Sequence, residues 1–273
     1  MKFNAPNIES ILAFYVNKKP GWEKGTSYEG SQNTIPVDGQ IHRKIGITPG
    51  EKVLFFAGGG GNWAESIANK TSLTFSDLTK RIVERVGKKR EIGEKQITIN
   101  ALRVPVKRDE FDWSVSFEPV PLAGQALPLA VLRGLLNRRG VKIIRYDMYS
   151  GEERIAKVLG QVYGTETEEK RVGIKCKAKP RLGNRFTGRE TKTHLITTIY
   201  SNDKIKNKVE KDLKIMMLVE KLKGRGGNFI PIKKIVDNAV EKGIKKSEVI
   251  ESLGRINQFS ELIPEEKRVT LVS

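Results

Sequence analysis

Hydrophobic positions along the chain switch repeatedly between short unbroken runs and a helical spacing of four. "KVLFFA", from Lys52, is a wholly apolar run that ends in glycines, which predicts a strand buried on both faces of a parallel sheet. "NWAESIANK" follows, with Trp63 and Ile67 on one helical face. "LTFSD" predicts a second strand, and "LTKRIVERVGKK" a helix in which Leu78, Ile82 and Val86 fall four apart and Gly87 ends the pattern. "KQITINAL" gives a third strand and "FDWSVSF" a fourth of alternating type. "QALPLAVLRGLLNRRG" predicts a helix closed by Gly140, and "VKIIRYDMY" a fifth strand. Strand and helix alternating at this spacing predict an α/β fold with a doubly wound, mostly parallel sheet. In such sheets a ligand sits beyond the carboxyl ends of the strands, near the point where strand order reverses.

Further on, "RVGIKCKAK" and "THLITTIYS" alternate apolar and polar residues and predict an antiparallel pair. The pattern then changes. Residues 201–208 are expected to be a linker. "EKDLKIMMLVEKL", "IPIKKIVDNAVEKG" ending at Gly243, and "KKSEVIESLGRI" with Val249, Leu253 and Ile256 on one face predict three helices. "ELIPEEKRVTLV" alternates like a small hairpin. The expected organisation is therefore a helical or extended segment over 1–48, an α/β domain over 49–200, a linker over 201–208 and a small domain over 209–273.

Composition narrows the function. Of 273 residues, 38% are hydrophobic and 30% charged, and no apolar run reaches the roughly 18 residues of a membrane helix. The amino terminus shows no signal-peptide pattern, and Cys176 is the single cysteine. An internal disulfide and a cysteine-cluster metal site are thereby excluded, and a cytoplasmic location is expected. His42 and His194 are too isolated to suggest a metal site. Fifty Lys and Arg against 32 Asp and Glu give a net charge of +18, an excess that attracts polyanions, of which nucleic acid is the commonest in a cell. The charge is uneven: "KRVGIKCKAKPRLGNRFTGRETK", from Lys170 to Lys192, holds nine basic residues and one acidic residue, Glu190. Within it Arg181, Arg185 and Arg189 fall four apart around Phe186, a set suited to phosphate forks and base stacking, although any basic hairpin tip would look the same.

"ITPGEKVLFFAGGGG", "LTFSDLTKRIVERV", "ITINALRVPVKRDEFDWSVSFEPVPL" and "VLRGLLNRRGVKIIRYD" resemble, in order and spacing, successive motifs of the class I S-adenosylmethionine-dependent methyltransferases. The resemblance spans roughly Ile47 to Asp147 and implies a Rossmann-like methyltransferase fold with S-adenosylmethionine as cofactor. It puts Phe55 where the family keeps an acid, Ala57 at the first motif glycine, and Gly59 and Gly61 at the next two. It puts Asp77, followed by Leu78, where a carboxylate accepts from both ribose hydroxyls, and Asn100 and Ala101 beside the adenine. Asp77 would equally serve as a helix cap. Phe117 falls at the polar position of the motif that base-amine methyltransferases use, where "FEPV" retains only one proline. No catalytic residue is identified. Cys176 lies far from any expected nucleophile position and reads as a small buried hydrophobe. Phe111 reads as core and Asp112 as structural.

Residues 230–272 resemble the carboxyl-terminal winged helices of archaeal MCM-type proteins. The resemblance implies a domain that meets DNA, ahead of RNA, or docks a protein, with Lys245, Lys246, Arg255, Lys267 and Arg268 as backbone contacts. Two readings result. One is a methyltransferase-like protein that brings nucleic acid to its cofactor. The other is a methyltransferase fold without catalysis that binds DNA or a replication or transcription partner.

Overall fold

The computed structural model describes residues 2–4, 34–56, 62–77, 96–98, 107–117, 127–146, 152–178, 189–222 and 229–260. Its strands are β1 (Lys2–Asn4), β2 (Thr34–Pro36), β3 (Lys52–Phe55), β4 (Ser72–Asp77), β5 (Gln96–Thr98), β6 (Trp113–Phe117), β7 (Gly140–Tyr146), β8 (Thr167–Ala178), β9 (Arg189–Tyr200) and β10 (Phe229–Pro231). Its helices are α1 (Ile41–Lys44), α2 (Asn62–Ala68), α3 (Leu127–Gly134), α4 (Glu152–Tyr163), α5 (Asp203–Leu222), α6 (Ile232–Glu241) and α7 (Lys246–Ser260).

Eight strands form one sheet in the order β2-β8-β9-β7-β6-β3-β4-β5. Strands β3 to β7 are parallel, and β9 runs antiparallel between β7 and β8. This is the doubly wound sheet closed by an antiparallel pair that the sequence leads one to expect. Chain order reverses beside β3, which sends β4 and β5 to one side and β6 and β7 to the other.

Alternation along each strand separates two cores. Val53 and Phe55 pack with α1, α2 and the inward residues of β8, Val172, Ile174 and Cys176. Phe56, Val141 and Ile143 pack on the opposite face with α3, α4 and the helices after the sheet. Strand β6 departs from the expected alternation, because all five of its residues are buried. A central parallel strand is covered on both faces. Ser114 tolerates this by accepting a hydrogen bond from Asn137 Nδ2 at 2.8 Å. Asp112 is structural, as expected: it accepts the Lys52 N–H at 2.8 Å and so ties β6 to β3. Phe111 and Cys176 are buried.

Three boundaries differ from the expectation. Helix α3 stops at Gly134, and Gly140 opens β7 instead of closing the helix, with φ +129° and a position where a Cβ would stand 2.1 Å from the Ile199 carbonyl oxygen. Residues 34–47 belong to the sheet domain, since β2 pairs with β8 and Ile41, Ile45 and Ile47 enter the same core as Phe55. Residues 203–208 are the start of α5 and not a linker. Asn202 Oδ1 accepts the Ile205 N–H at 3.0 Å, a cap that begins the helix there. Helix α4, with Ile155, Leu159 and Tyr163 buried at a spacing of four, escaped the sequence reading altogether.

Helices α5, α6 and α7 pack on one another, and α7 also packs on α4. Gly243, at φ +80°, ends α6 as its place in the pattern suggests. The short strand β10 before α6 pairs antiparallel with β1, Lys2 opposite Pro231. The terminal segment 261–273, expected to form a hairpin, lies outside the described residues.

Candidate functional site

The glycine stretch follows β3 at the place where strand order reverses, and α2 begins immediately after it. The neighbouring strand β4 pairs Phe75 with Phe55 and continues two residues further to Asp77, its last residue, opposite Thr98 of β5. The carboxyl ends of β6, β3, β4 and β5 therefore lie side by side, with Asp77 at the rim. This is where an open α/β sheet presents its ligand site. Ala57, Gly59, Gly61, Leu78, Asn100 and Ala101 lie outside the described residues, and Asp77 is described by its backbone.

Phe55 and Phe117, expected as cofactor contacts, have side chains packed in the core. Phe55 is 0% exposed and Phe117 1%. Phe55 stacks on Phe75, with ring centroids 6.2 Å apart, and on Phe117 at 5.8 Å. Trp63 of α2 extends the row, stacked on Phe117 at 4.4 Å. Four rings from three adjacent strands and one helix thus form one packed row, and the phenyl rings of Phe55 and Phe117 are occupied by it. Trp63 was legible only as a helix-face residue. Its indole N–H is buried and has no hydrogen-bond partner among the described residues, so it is a polar group beside the site that spacing alone did not single out.

These residues provide a partial fit to S-adenosylmethionine. A carboxylate at the end of β4 suits a ribose diol, because its two oxygens accept two donors side by side. At the end of β3 the aromatic row leaves no acid for the cofactor's ammonium. Among the described residues no group of His, Cys, Asp and Glu could hold a metal ion, and no helix is long and apolar enough to cross a membrane.

The expected nucleic-acid contacts separate as well. Arg181, Arg185, Lys267 and Arg268 lie outside the described residues. Arg189 opens β9, paired with Lys177 of β8. Arg171, Lys175 and Lys177 are exposed, alternating with the buried Val172, Ile174 and Cys176. Lys245 and Lys246 are exposed at the start of α7.

Arg255, expected as a backbone contact, is engaged within the chain. Its Nε and NH2 groups donate to Asp212 Oδ2 and Oδ1 at 2.8 and 2.7 Å, and Asp212 is fully buried. Ser252 and Tyr163 donate to the same carboxylate, Tyr163 at 2.9 Å. Hydrogen bonds to Asp212 push the Arg255 pKa up, and burial followed by the Asp212 charge pushes the Tyr163 hydroxyl well up. This guanidinium ties α7 to α5 through Asp212, and the same carboxylate receives Tyr163 of α4.

No family model matches the sequence, and no curated protein matches it. Among solved structures the chain is similar to a TehB-like SAM-dependent methyltransferase from Corynebacterium glutamicum, at 13% identity and a TM-score of 0.42 over 69% of this chain and 100% of that one. It is similar to precorrin 8w decarboxylase from Methanobacterium thermoautotrophicum, at 15% identity and a TM-score of 0.39 over 58% and 86%. A precorrin-6y C5,15-methyltransferase from Geobacter metallireducens gives 13% identity and a TM-score of 0.38 over 58% and 84%. It is the strand order and register that make this a mixed α/β protein with a mostly parallel sheet closed by an antiparallel hairpin.

Proposed function

We propose that this chain is a methyltransferase-like protein that holds S-adenosylmethionine at the carboxyl ends of β3, β4 and β5 and works on nucleic acid. The observation that supports the reading is the position of Asp77 at the end of β4, beside the glycine stretch at the reversal of strand order. Gly59 and Gly61 would let backbone approach the cofactor, Asp77 would take the ribose, and Asn100 and Ala101 would meet the adenine. The cofactor supplies the transferable methyl group, and the protein's task is to position an acceptor.

Nucleic acid, DNA ahead of RNA, would meet the hairpin through Arg181, Arg185 and Arg189. In the same proposal α5, α6 and α7 with the segment after them act as a winged helix, in which Lys245, Lys246, Lys267 and Arg268 reach phosphates. Such a module could also dock a protein, and Ile250 on α7, 47% exposed, is a suitable apolar contact.

A specific observation favours the second reading, a catalytically silent scaffold: the phenyl ring of Phe55 is packed where the cofactor's acid belongs. Titration calorimetry with S-adenosylmethionine decides between them. Micromolar binding that disappears in Asp77→Ala supports the methyltransferase reading. No heat at millimolar cofactor removes that reading and leaves the scaffold. For nucleic acid, the binding constant should fall steeply with salt. Replacing Arg181, Arg185 and Arg189 together by Ala should flatten the logarithmic salt slope by about 2–3 units, at roughly 0.9 per phosphate contact; an unchanged slope would remove the hairpin from the interface.

A further inference from the structure

A cavity of ≈ 310 Å³ lies on the α1 face of the sheet, at the amino ends of β6 and β7, the opposite end from the proposed cofactor site. Lys142 lines it and is only 5% exposed. Its Nζ sits 4.0 Å from the centre of the Trp113 ring and donates to Thr198 Oγ1 at 3.3 Å. An ammonium carries three N–H donors, so two remain after Thr198 is served. Gly46, at φ +70°, lies in the turn above; a Cβ there would stand 3.4 Å from Nζ.

Glu168 is the carboxylate among the described residues that line the cavity, and it and its neighbours bond to groups other than Lys142. Glu168 accepts from the Tyr200 hydroxyl at 2.5 Å, Glu51 pairs with Arg139 at 3.0 Å, and Asp38 pairs with Lys44 at 2.6 Å. No carboxylate pairs with Lys142 among the described residues. Lys44, Arg139 and Lys170 also line the cavity; the first two are paired as above, and exposed Lys170 has no carboxylate partner among the described residues. The Trp113 indole N–H is buried and has no acceptor among the described residues. Donors without acceptors, one of them a buried charge, are costly for a protein to keep. An oxyanion supplies acceptors for the two remaining Lys142 donors and a charge opposite to the four cations that line the cavity.

We propose that this cavity binds a small molecule through an oxyanion, a carboxylate or a phosphate, received by Lys142. Burial pushes the Lys142 pKa down to about 8, with Glu168 and Glu51 acting against that shift and Arg139 and Lys170 with it. Affinity should therefore weaken as pH rises above that value, where the ammonium is lost. The proposal does not depend on S-adenosylmethionine binding, since the two sites lie at opposite ends of the strands.

The test titrates inorganic phosphate and benzoate separately into the full chain near neutral pH, in an anion-poor zwitterionic buffer. One of them should saturate a single site and bind at least about tenfold more weakly to Lys142→Met. Saturation by phosphate points to a phosphoryl ligand, and saturation by benzoate alone to a carboxylate. The proposal is overturned if neither saturates by about 10 mM, or if Lys142→Met binds as well as the parent. Limited acetylation with peptide mapping gives a readout that needs no variant. The anion that binds should slow modification of Lys142 several-fold while leaving exposed Lys245 unaffected; equal rates with and without either anion would overturn the site.

Discussion

At the scale of single residues, two buried charges behave in opposite ways because one is partnered and the other is not. Asp212 receives Arg255, Ser252 and Tyr163. Removing its carboxylate would leave the largely buried guanidinium with only the exposed Glu251, 3.9 Å away. Asp212→Ala should therefore lose about 3–5 kcal/mol in urea denaturation. A loss below about 1 kcal/mol would show that the network carries little. Lys142 lacks such a partner. Its pKa is 10.5 in the unfolded chain and about 8 in the fold. Between those values the unfolded chain binds a proton that the folded chain does not, so stability rises with pH across this window and the penalty is fully present below it. Lys142→Met should gain about 2 kcal/mol near neutral pH, and the gain should shrink towards pH 10. Denaturation midpoints of the two proteins at both pH values check this; a pH-independent difference would contradict it.

At the scale of elements, the row Phe75, Phe55, Phe117 and Trp63 joins β4, β3, β6 and α2 into one layer. Phe55→Ala should cost about 3–5 kcal/mol, as large truncations in packed cores do. Gly140→Ala should be as damaging, because its Cβ would meet the Ile199 backbone at 2.1 Å. Circular dichroism melts would register both, and a Gly140→Ala protein melting with the parent would show that β7 and β9 can shift apart. Strands of this sheet were legible because unbroken apolar runs such as "KVLFFA" admit few alternatives. Cys176 was legible because it sits at an apolar position of the alternating "RVGIKCKAK", and Asp112 because it precedes a strand motif. The end of α3 was not: "RGLLNRRG" keeps the helical spacing to Gly140, and only the close approach of β9 makes a strand start there. Burial of the whole of β6 was equally hidden, since Ser114 and Ser116 mimic alternation unless the covering layers are known. At the candidate site Asp77 could be placed from its motif, whereas the fate of the Phe55 side chain depends on rings from β4 and β6 that no local pattern links. Arg255 looked like a surface cation because its partner Asp212 lies on a different helix.

At the scale of the whole molecule, the helices after the sheet share a core with it. Leu135, Val141, Tyr163 and Ile199 of the sheet domain share one apolar cluster with Leu213, Ile235, Val249 and Phe259. Arg108 and Asp203, 2.6 Å apart, and Lys206 and Asp109, also 2.6 Å apart, strengthen the junction at the start of α5. Calorimetric melting of the full chain should show one transition, and residues 201–273 expressed alone should lack cooperative unfolding. Two resolved transitions would make the carboxyl-terminal helices an independent domain. The pairing of β1 with β10 sets a condition on biosynthesis. A strand made among the first residues must wait for a partner beginning at Phe229, roughly ten seconds or more later at about 5–20 residues per second. Its backbone donors and acceptors meet that partner only after the sheet residues have been synthesised, so a ribosome that stalls before Phe229 leaves this end of the molecule open.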